Sequence, residues 1–459
     1  MDSTEHSLSL DNHIAFISQQ LKDINIFKNL IWLVIVIVIV IILIWLFNIF
    51  NLPKNNCKNL KNVYNDEIAP LNPISNDDIF NEPLYDFYVK TAYNAASSGN
   101  FKNSFVDSDS TDPPFCALTT CLKQGCRCLD FEIYSVNHQP VISTSSIDSN
   151  NIKETFNYLP FEKAMQFLSE NAFNASMTSC FSDPLILHFR VMSKIPNNPI
   201  YPLMGTALLD SFKDRLLETK YNLMNSCTNL AINPLSFFKG KVIIIIDPKT
   251  YENLKTICPP ILMDCSGNSS DLANSSEKIG NQEGDRSNIN CQTPNLLEFC
   301  NMHSGSPFLH TYRQKDLKLA DSNQLAYSNK TLMTIVLPNF NYKPQNFDPS
   351  LGFTTGCQII GMSFQNFDVN LEYYSLFFNK AGYAFAFKPA SLRYIPITID
   401  PPDPYPKYTN VNRQPLTVKD GQGNEVNLIN YIGPNNEGIE NTFPYPINQA
   451  TKNPLEFPN

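Results

Sequence analysis

The chain has 459 residues, 34 Lys plus Arg against 43 Asp plus Glu, and a net charge of -9. That balance, with no cluster of Lys and Arg, excludes generic nucleic-acid binding, because phosphate backbones reward grouped cations. Hydrophobic residues make up 43%, which suits a globular core, and the length leaves room for one large domain or two to three ordinary ones.

Residues 1–29 are polar. Leu30 to Phe47 is an unbroken apolar run, LIWLVIVIVIVIILIWLF. With Asn48 to Phe50 added, a helix rising about 1.5 Å per residue crosses a hydrocarbon core of about 30 Å. Trp32 and Trp45, the two tryptophans of the chain, sit near the ends of the run, where indoles favour the membrane interface. The competing readings are a buried core helix and a cleaved signal peptide. The run is longer than a signal core and lacks a small-residue cleavage site. Residues 30–50 are therefore expected to form a retained transmembrane helix. Lys22 and Lys28 precede it and Lys54, Lys58 and Lys61 follow it, a split that leaves the orientation open.

Residues 51–81 are polar and read as a stalk. From Glu82 to Tyr394, short apolar runs alternate with helical stretches. CRCLDFEIY, PLILHFRV, KVIIIIDP, TLMTIVLP, CQIIGMSFQ and GYAFAFKP read as strands; Phe161 to Phe173 and Leu203 to Leu216 show helical spacing. Such alternation predicts a parallel sheet or an α/β barrel. Ser266 to Asn290 lacks apolar periodicity and reads as a flexible insertion within a linker at about 258–300. Residues 395–459 are Pro- and Asn-rich and read as an extended tail, a candidate arm for a protein partner.

The 12 cysteines are spread along the chain. Cys126, Cys128 and Cys357 lie in apolar stretches and read as buried thiols. Cys258 with Cys265, or Cys291 with Cys300, could bridge the polar segment in an oxidising compartment or stay free. No C-x-x-C pair occurs and there are only 6 His, so a structural zinc site is not expected. Asn174, Asn268, Asn274 and Asn329 occupy N-x-S/T triplets.

Gly125 to Tyr134 (GCRCLDFEIY), Pro184 to Val191 (PLILHFRV), Phe237 to Ile246 (FFKGKVIIII) and Gly356 to Arg393 (GCQIIGMSFQNFDVNLEYYSLFFNKAGYAFAFKPASLR) together resemble the catalytic barrel of eukaryotic phosphoinositide-specific phospholipase C. That barrel is written in an X and a Y half joined by a variable linker. The resemblance covers residues 82–394, with the X half at about 82–257 and the Y half at 301–394. It implies a distorted (β/α) TIM-type barrel, preceded here by one transmembrane helix, with its site at the C-terminal ends of the strands.

The family reaction uses a histidine base, a histidine acid and a calcium ion held by Asn, Glu, Asp and Glu. The resemblance puts Tyr93 on the first histidine and Thr144 on the second, and neither is a plausible substitute. Asn94 keeps the asparagine, while Asp130 and Glu132 stand for the family glutamate and aspartate. Two apart on a strand, they point into the barrel together. Arg190 replaces the third-strand glutamate and supplies a fixed counter-charge. The family lysines fall at Ile245 and Asp247, and the arginine and tyrosine of the Y half at Ile335 and Leu337. His138 and His188 are the alternative catalytic candidates.

These substitutions predict a membrane-anchored pseudoenzyme with a binding or structural role; a phospholipid headgroup is one candidate partner, and the ligand itself stays open. The alternative is an active phosphodiesterase with a rebuilt site. Calcium, at Asn94, Asp130 and Glu132, is the one cofactor implied, and only for an active site. The Asn-, Ile- and Lys-rich composition suits an AT-rich genome such as that of a large DNA virus, which would place the protein in a virion or host-cell membrane.

Overall fold

The computed structural model describes residues 3–99, 105, 115–147, 152–192, 199–223, 228–257, 294–341, 343, 345–396, 417–419, 422–423 and 425–427. The linker segment 266–290, Cys258, Cys265, Cys291 and most of the tail lie outside them. Residues 1–394 form one unit and 395–459 another. In the second, Thr417–Lys419 pairs antiparallel with Glu425–Asn427.

In chain order the first unit contains α1 (Ser3–Tyr64), β1 (Phe87–Ala92), α2 (Cys116–Lys123), β2 (Cys128–Val136), β3 (Gln139–Ser143), β4 (Leu159–Pro160) and α3 (Phe161–Asn171). Then come β5 (Leu185–Val191), α4 (Ile200–Phe212), β6 (Val242–Ile246), α5 (Pro248–Ile257), β7 (Met302–His303), β8 (Leu309–Arg313), β9 (Met333–Leu337), β10 (Ile359–Met362) and β11 (Phe385–Phe387). Hydrogen-bonded neighbours run β7-β6-β5-β2-β1-β10-β9-β8, and every pair along that path is parallel. The result is a nearly closed barrel of eight parallel strands, the α/β TIM-type architecture expected from the sequence. β11 adds antiparallel to β1, and β3 returns against β2 as a hairpin.

A strand covered on both faces must be apolar on both, so it reads as a continuous run instead of an alternation. Ile243 and Ile245 of β6 pack inside with Val89, Cys128, Ile186 and Ile335. Ile244 and Ile246 pack outside, with Leu187 and Phe189 of β5, against Ala164 and Leu168 of α3 and Met204 and Leu208 of α4. The α3 residues Phe161, Ala164, Met165 and Leu168 are buried at the spacing of one helical face. Each fully buried Leu or Phe contributes about 1.5–3 kcal/mol.

The G-C-Q segment has a structural role. Gly356 takes φ 73°, a conformation glycine adopts without strain. Gln358 is buried; its Nε2 donates to the carbonyls of Tyr85 and Leu332, each at 2.8 Å, and its Oε1 accepts from the Thr334 amide at 2.8 Å. One side chain thus ties the entry of β1 to β9 and β10. Gln358→Ala is expected to cost about 1–3 kcal/mol by orphaning those groups, measured as the urea midpoint at unchanged m-value.

α1 is a single helix running through the apolar stretch to Tyr64. From Leu30 to Trp45 its large side chains are almost all exposed, Trp32 at 66%. Cys57 forms a disulfide with Cys116 at the start of α2, and Leu60 and Ala117 are buried beside it. Leu71, Ile74 and Phe80 are buried against the inner cluster. Cys126, Cys128 and Cys357 are free, buried thiols, as the sequence suggested. Cys300 is also free and buried, donating to the Leu296 carbonyl, the free alternative of the two that its sequence left open. Burial next to that carbonyl gives the thiol a local bond without a second sulfur.

Candidate functional site

β2 and β5 are parallel neighbours whose register sets Asp130 beside His188 and Glu132 beside Arg190. All four share the parity of Cys128 and Ile186, so they point into the barrel; Arg190 is the penultimate residue of β5. All four are buried.

Arg190 is the centre of the cluster. Its Nε donates to Asp130 Oδ1 at 2.9 Å and its Nη2 to Asp130 Oδ2 at 2.7 Å, a bidentate pair. Nη1 donates to Glu132 Oε1 at 2.8 Å, and Nη2 also to Asn94 Oδ1 at 2.9 Å. Glu132 Oε2 accepts from the Ser145 amide at 2.9 Å and the Tyr134 hydroxyl at 3.1 Å. The Tyr93 ring lies under the guanidinium, 5.0 Å from Cζ to centroid, a cation–π contact. Burial alone would raise the Asp130 carboxyl; the Arg190 charge and the bonds from His188 and Arg190 outweigh it and hold it well below the usual carboxylate range. Burial also opposes the charge on Arg190, and Asp130, Tyr93 and Glu132 overcome it to hold the guanidinium protonated.

His188 extends the cluster. Its Nδ1 lies 2.8 Å from Asp130 Oδ1 and its Nε2 3.4 Å from the Oγ of Ser304, the residue after β7. Above them opens a cavity of about 580 Å³, lined in part by His188, Arg190, Lys249, Ser304, His310 and Arg313. Asp247, also on its wall, accepts from the Thr250 hydroxyl and from the Val191 amide at 3.3 Å. Burial raises its carboxyl above the ordinary range.

The sequence-derived residues separate cleanly. Tyr93, Asn94, Asp130, Glu132, Arg190 and His188 converge. Thr144 is buried at the end of β3, one residue beyond the pair Ser143 and Glu132, and its hydroxyl has no hydrogen-bond partner among the described residues. His138 does not join them: it is exposed at the tip of the β2–β3 hairpin with φ 61°. The hairpin carries β2 four residues past Glu132, which takes His138 away from the mouth. Ser304, Lys249, His310 and Arg313 were missed. Arg313 has a sequence signal, since it keeps the parity of the inward Leu309 on β8; Ser304 follows a strand of two residues and has none.

The donor set does not fit calcium. A hard cation needs carboxylate and carbonyl oxygens free to face it, and Arg190 already takes the Asn94 oxygen, both Asp130 oxygens and one from Glu132. Among the described residues no group of three His, Cys, Asp or Glu is placed to hold a metal ion.

No family model matches the chain, and no curated protein does. Several solved structures are similar. PLC21 of L. pealei is 16% identical with a TM-score of 0.48, covering 69% of this chain and 38% of that one. PLC21 of S. officinalis is 16% identical with a TM-score of 0.47, covering 70% and 39%. A calcium-dependent phosphoinositol-specific phospholipase C from Pseudomonas sp is 10% identical with a TM-score of 0.36, covering 67% and 96%. This chain therefore spans about two fifths of the length of the first two. The barrel assignment rests on the strand order above.

Proposed function

We propose that this protein is a membrane-anchored, phospholipase-C-like barrel that has abandoned metal-dependent phosphoinositide cleavage and uses its mouth to bind an anionic phospholipid headgroup. The observation that carries this reading is the Arg190 guanidinium seated among Asn94, Asp130 and Glu132. A fixed cation there neutralises the two carboxylates without leaving a coordination position open to a phosphate oxygen. Tyr93 and Thr144 offer no base or acid near neutral pH; burial raises the Tyr93 phenol further. Lys249 and Arg313 on the cavity wall supply cations suited to a phosphate, with His310 beside them. The anchor reading draws support from α1, whose span from Lys28 onward is long and apolar enough to cross a membrane and whose most apolar stretch has no buried residue.

A second reading follows from Asp130, His188 and Ser304, whose spacing is that of a carboxylate–imidazole–hydroxyl relay. It makes the protein an active hydrolase with a rebuilt site. The test is release of inositol phosphate from vesicles carrying phosphatidylinositol and its bisphosphate, with calcium and with chelator. The expected result is no turnover above blank, with vesicle binding weakened by Lys249→Glu and Arg313→Glu. Chelator-resistant turnover lost in His188→Ala and Ser304→Ala would establish the relay instead. Calcium-dependent turnover lost in Asp130→Ala would sink the proposal.

A further inference from the structure

The Lys residues flanking the apolar run leave the barrel's side of the membrane open. We infer that the barrel lies on the non-cytosolic, oxidising side and that Asn174 there carries an N-linked glycan. The inference rests on the anchoring reading above.

Two observations carry it, the first for the side and the second for the residue. The first is the Cys57–Cys116 disulfide. Disulfides form and persist in oxidising compartments and are rare where glutathione keeps thiols reduced. Cys57 follows the apolar run, so the bond and the barrel share one side of the membrane. The free cysteines among the described residues, Cys121, Cys126, Cys128, Cys180, Cys300 and Cys357, are all buried. That pattern leaves no described thiol open to stray exchange in such a compartment.

The second is the contrast between two N-x-S/T triplets. Asn329 is 1% exposed. Its Nδ2 donates to the Thr355 carbonyl at 2.8 Å and its Oδ1 accepts from the Thr334 hydroxyl at 2.7 Å. No transferase reaches it in the folded chain. Asn174 is exposed, in the turn that follows α3. Its Oδ1 accepts from both the amide and the hydroxyl of Ser176, each at 3.0 Å. The triplet is thus folded on itself at the surface, with its hydroxyl against the amide that reacts. In the transfer, Asn174 Nδ2 bonds to the anomeric carbon of a lipid-pyrophosphate-linked oligosaccharide. The anomeric C–O bond breaks, the lipid pyrophosphate leaves, and Nδ2 gives up a proton.

The experiment is translation of the full chain with endoplasmic-reticulum microsomes, in an Asn268→Gln, Asn274→Gln background that removes the triplets outside the described residues. Carbonate extraction reports anchoring, added protease reports the side, and an amidase that removes N-glycans reports modification. The expected result is a carbonate-resistant chain with a protected barrel and one amidase-sensitive mobility step. The step survives in Asn329→Gln and is lost in both Asn174→Gln and Ser176→Ala. A carbonate-resistant chain whose barrel is digested would overturn the sidedness and leave anchoring intact. A protected barrel without the step would overturn Asn174 as the site. A chain released by carbonate would remove the anchoring reading and this one with it.

Discussion

Arg190→Met is expected to destabilise the barrel by about 3–5 kcal/mol at neutral pH, the usual cost of breaking a buried ion pair from one side. Asp130 and Glu132 would be left as neighbouring carboxylates in a dry interior, their side chains 1% and 0% exposed. The pH dependence separates this from a loss of packing. In the wild type, Asp130 is held below its unfolded value by Arg190 and His188 against the opposing effect of burial. Its contribution to stability is therefore present above the ordinary carboxylate range and is lost as the pH falls through the folded value. In the variant, burial no longer offset by Arg190 raises the Asp130 carboxyl, so the deficit is greatest near pH 7 and narrows on acidification, when it protonates. Adding Asp130→Asn and Glu132→Gln to Arg190→Met should restore much of the loss. Urea denaturation at pH 7 and about pH 4.5 reads all of this; a deficit independent of pH would show that Arg190 acts through packing.

The Cys57→Ser, Cys116→Ser double variant is expected to lose about 2–4 kcal/mol. The bond closes a loop of sequence separation 59, and a cross-link of that span restricts the unfolded chain more than a short one does. Leu60 and Ala117 still pack across the same contact, so the native fold should survive while the midpoint shifts. Peptide mapping without reductant must find Cys57 joined to Cys116. Unchanged midpoints in wild type and double variant would remove the bond from any account of stability.

Much of the barrel was legible because its strands are covered on both faces and therefore stand out as apolar runs. The carboxylate–arginine cluster was legible too. Asp130 and Glu132 are two apart on one strand, and period-2 geometry alone turns both inward. Arg190 and His188 obey the same rule on β5, and only their register against β2 needed the fold. Ser304 was not legible: it lies 116 positions from His188, beyond the linker segment, after a strand too short to carry a pattern. Cys57 escaped for another reason. It sits in a polar stretch with the composition of a tether, and only its position on one face of the continuing helix α1 brings it to Cys116. His138 misled because hairpin length, which decides where the tip goes, is not written in residue type.

The continuity of α1 also has a mechanical consequence. A flexible tether would let the barrel wander and turn at random above a bilayer. On the proposed anchoring, a helix that continues from the membrane through Pro53 and is clamped at Cys57, seven residues past Phe50, would limit both height and heading. At about 1.5 Å per residue the clamp stands roughly 10 Å above the apolar edge. On that proposal the barrel would move with the helix: tilt of the span would become displacement of the mouth, and the headgroups within its reach would be chosen by the thickness and curvature of the membrane below.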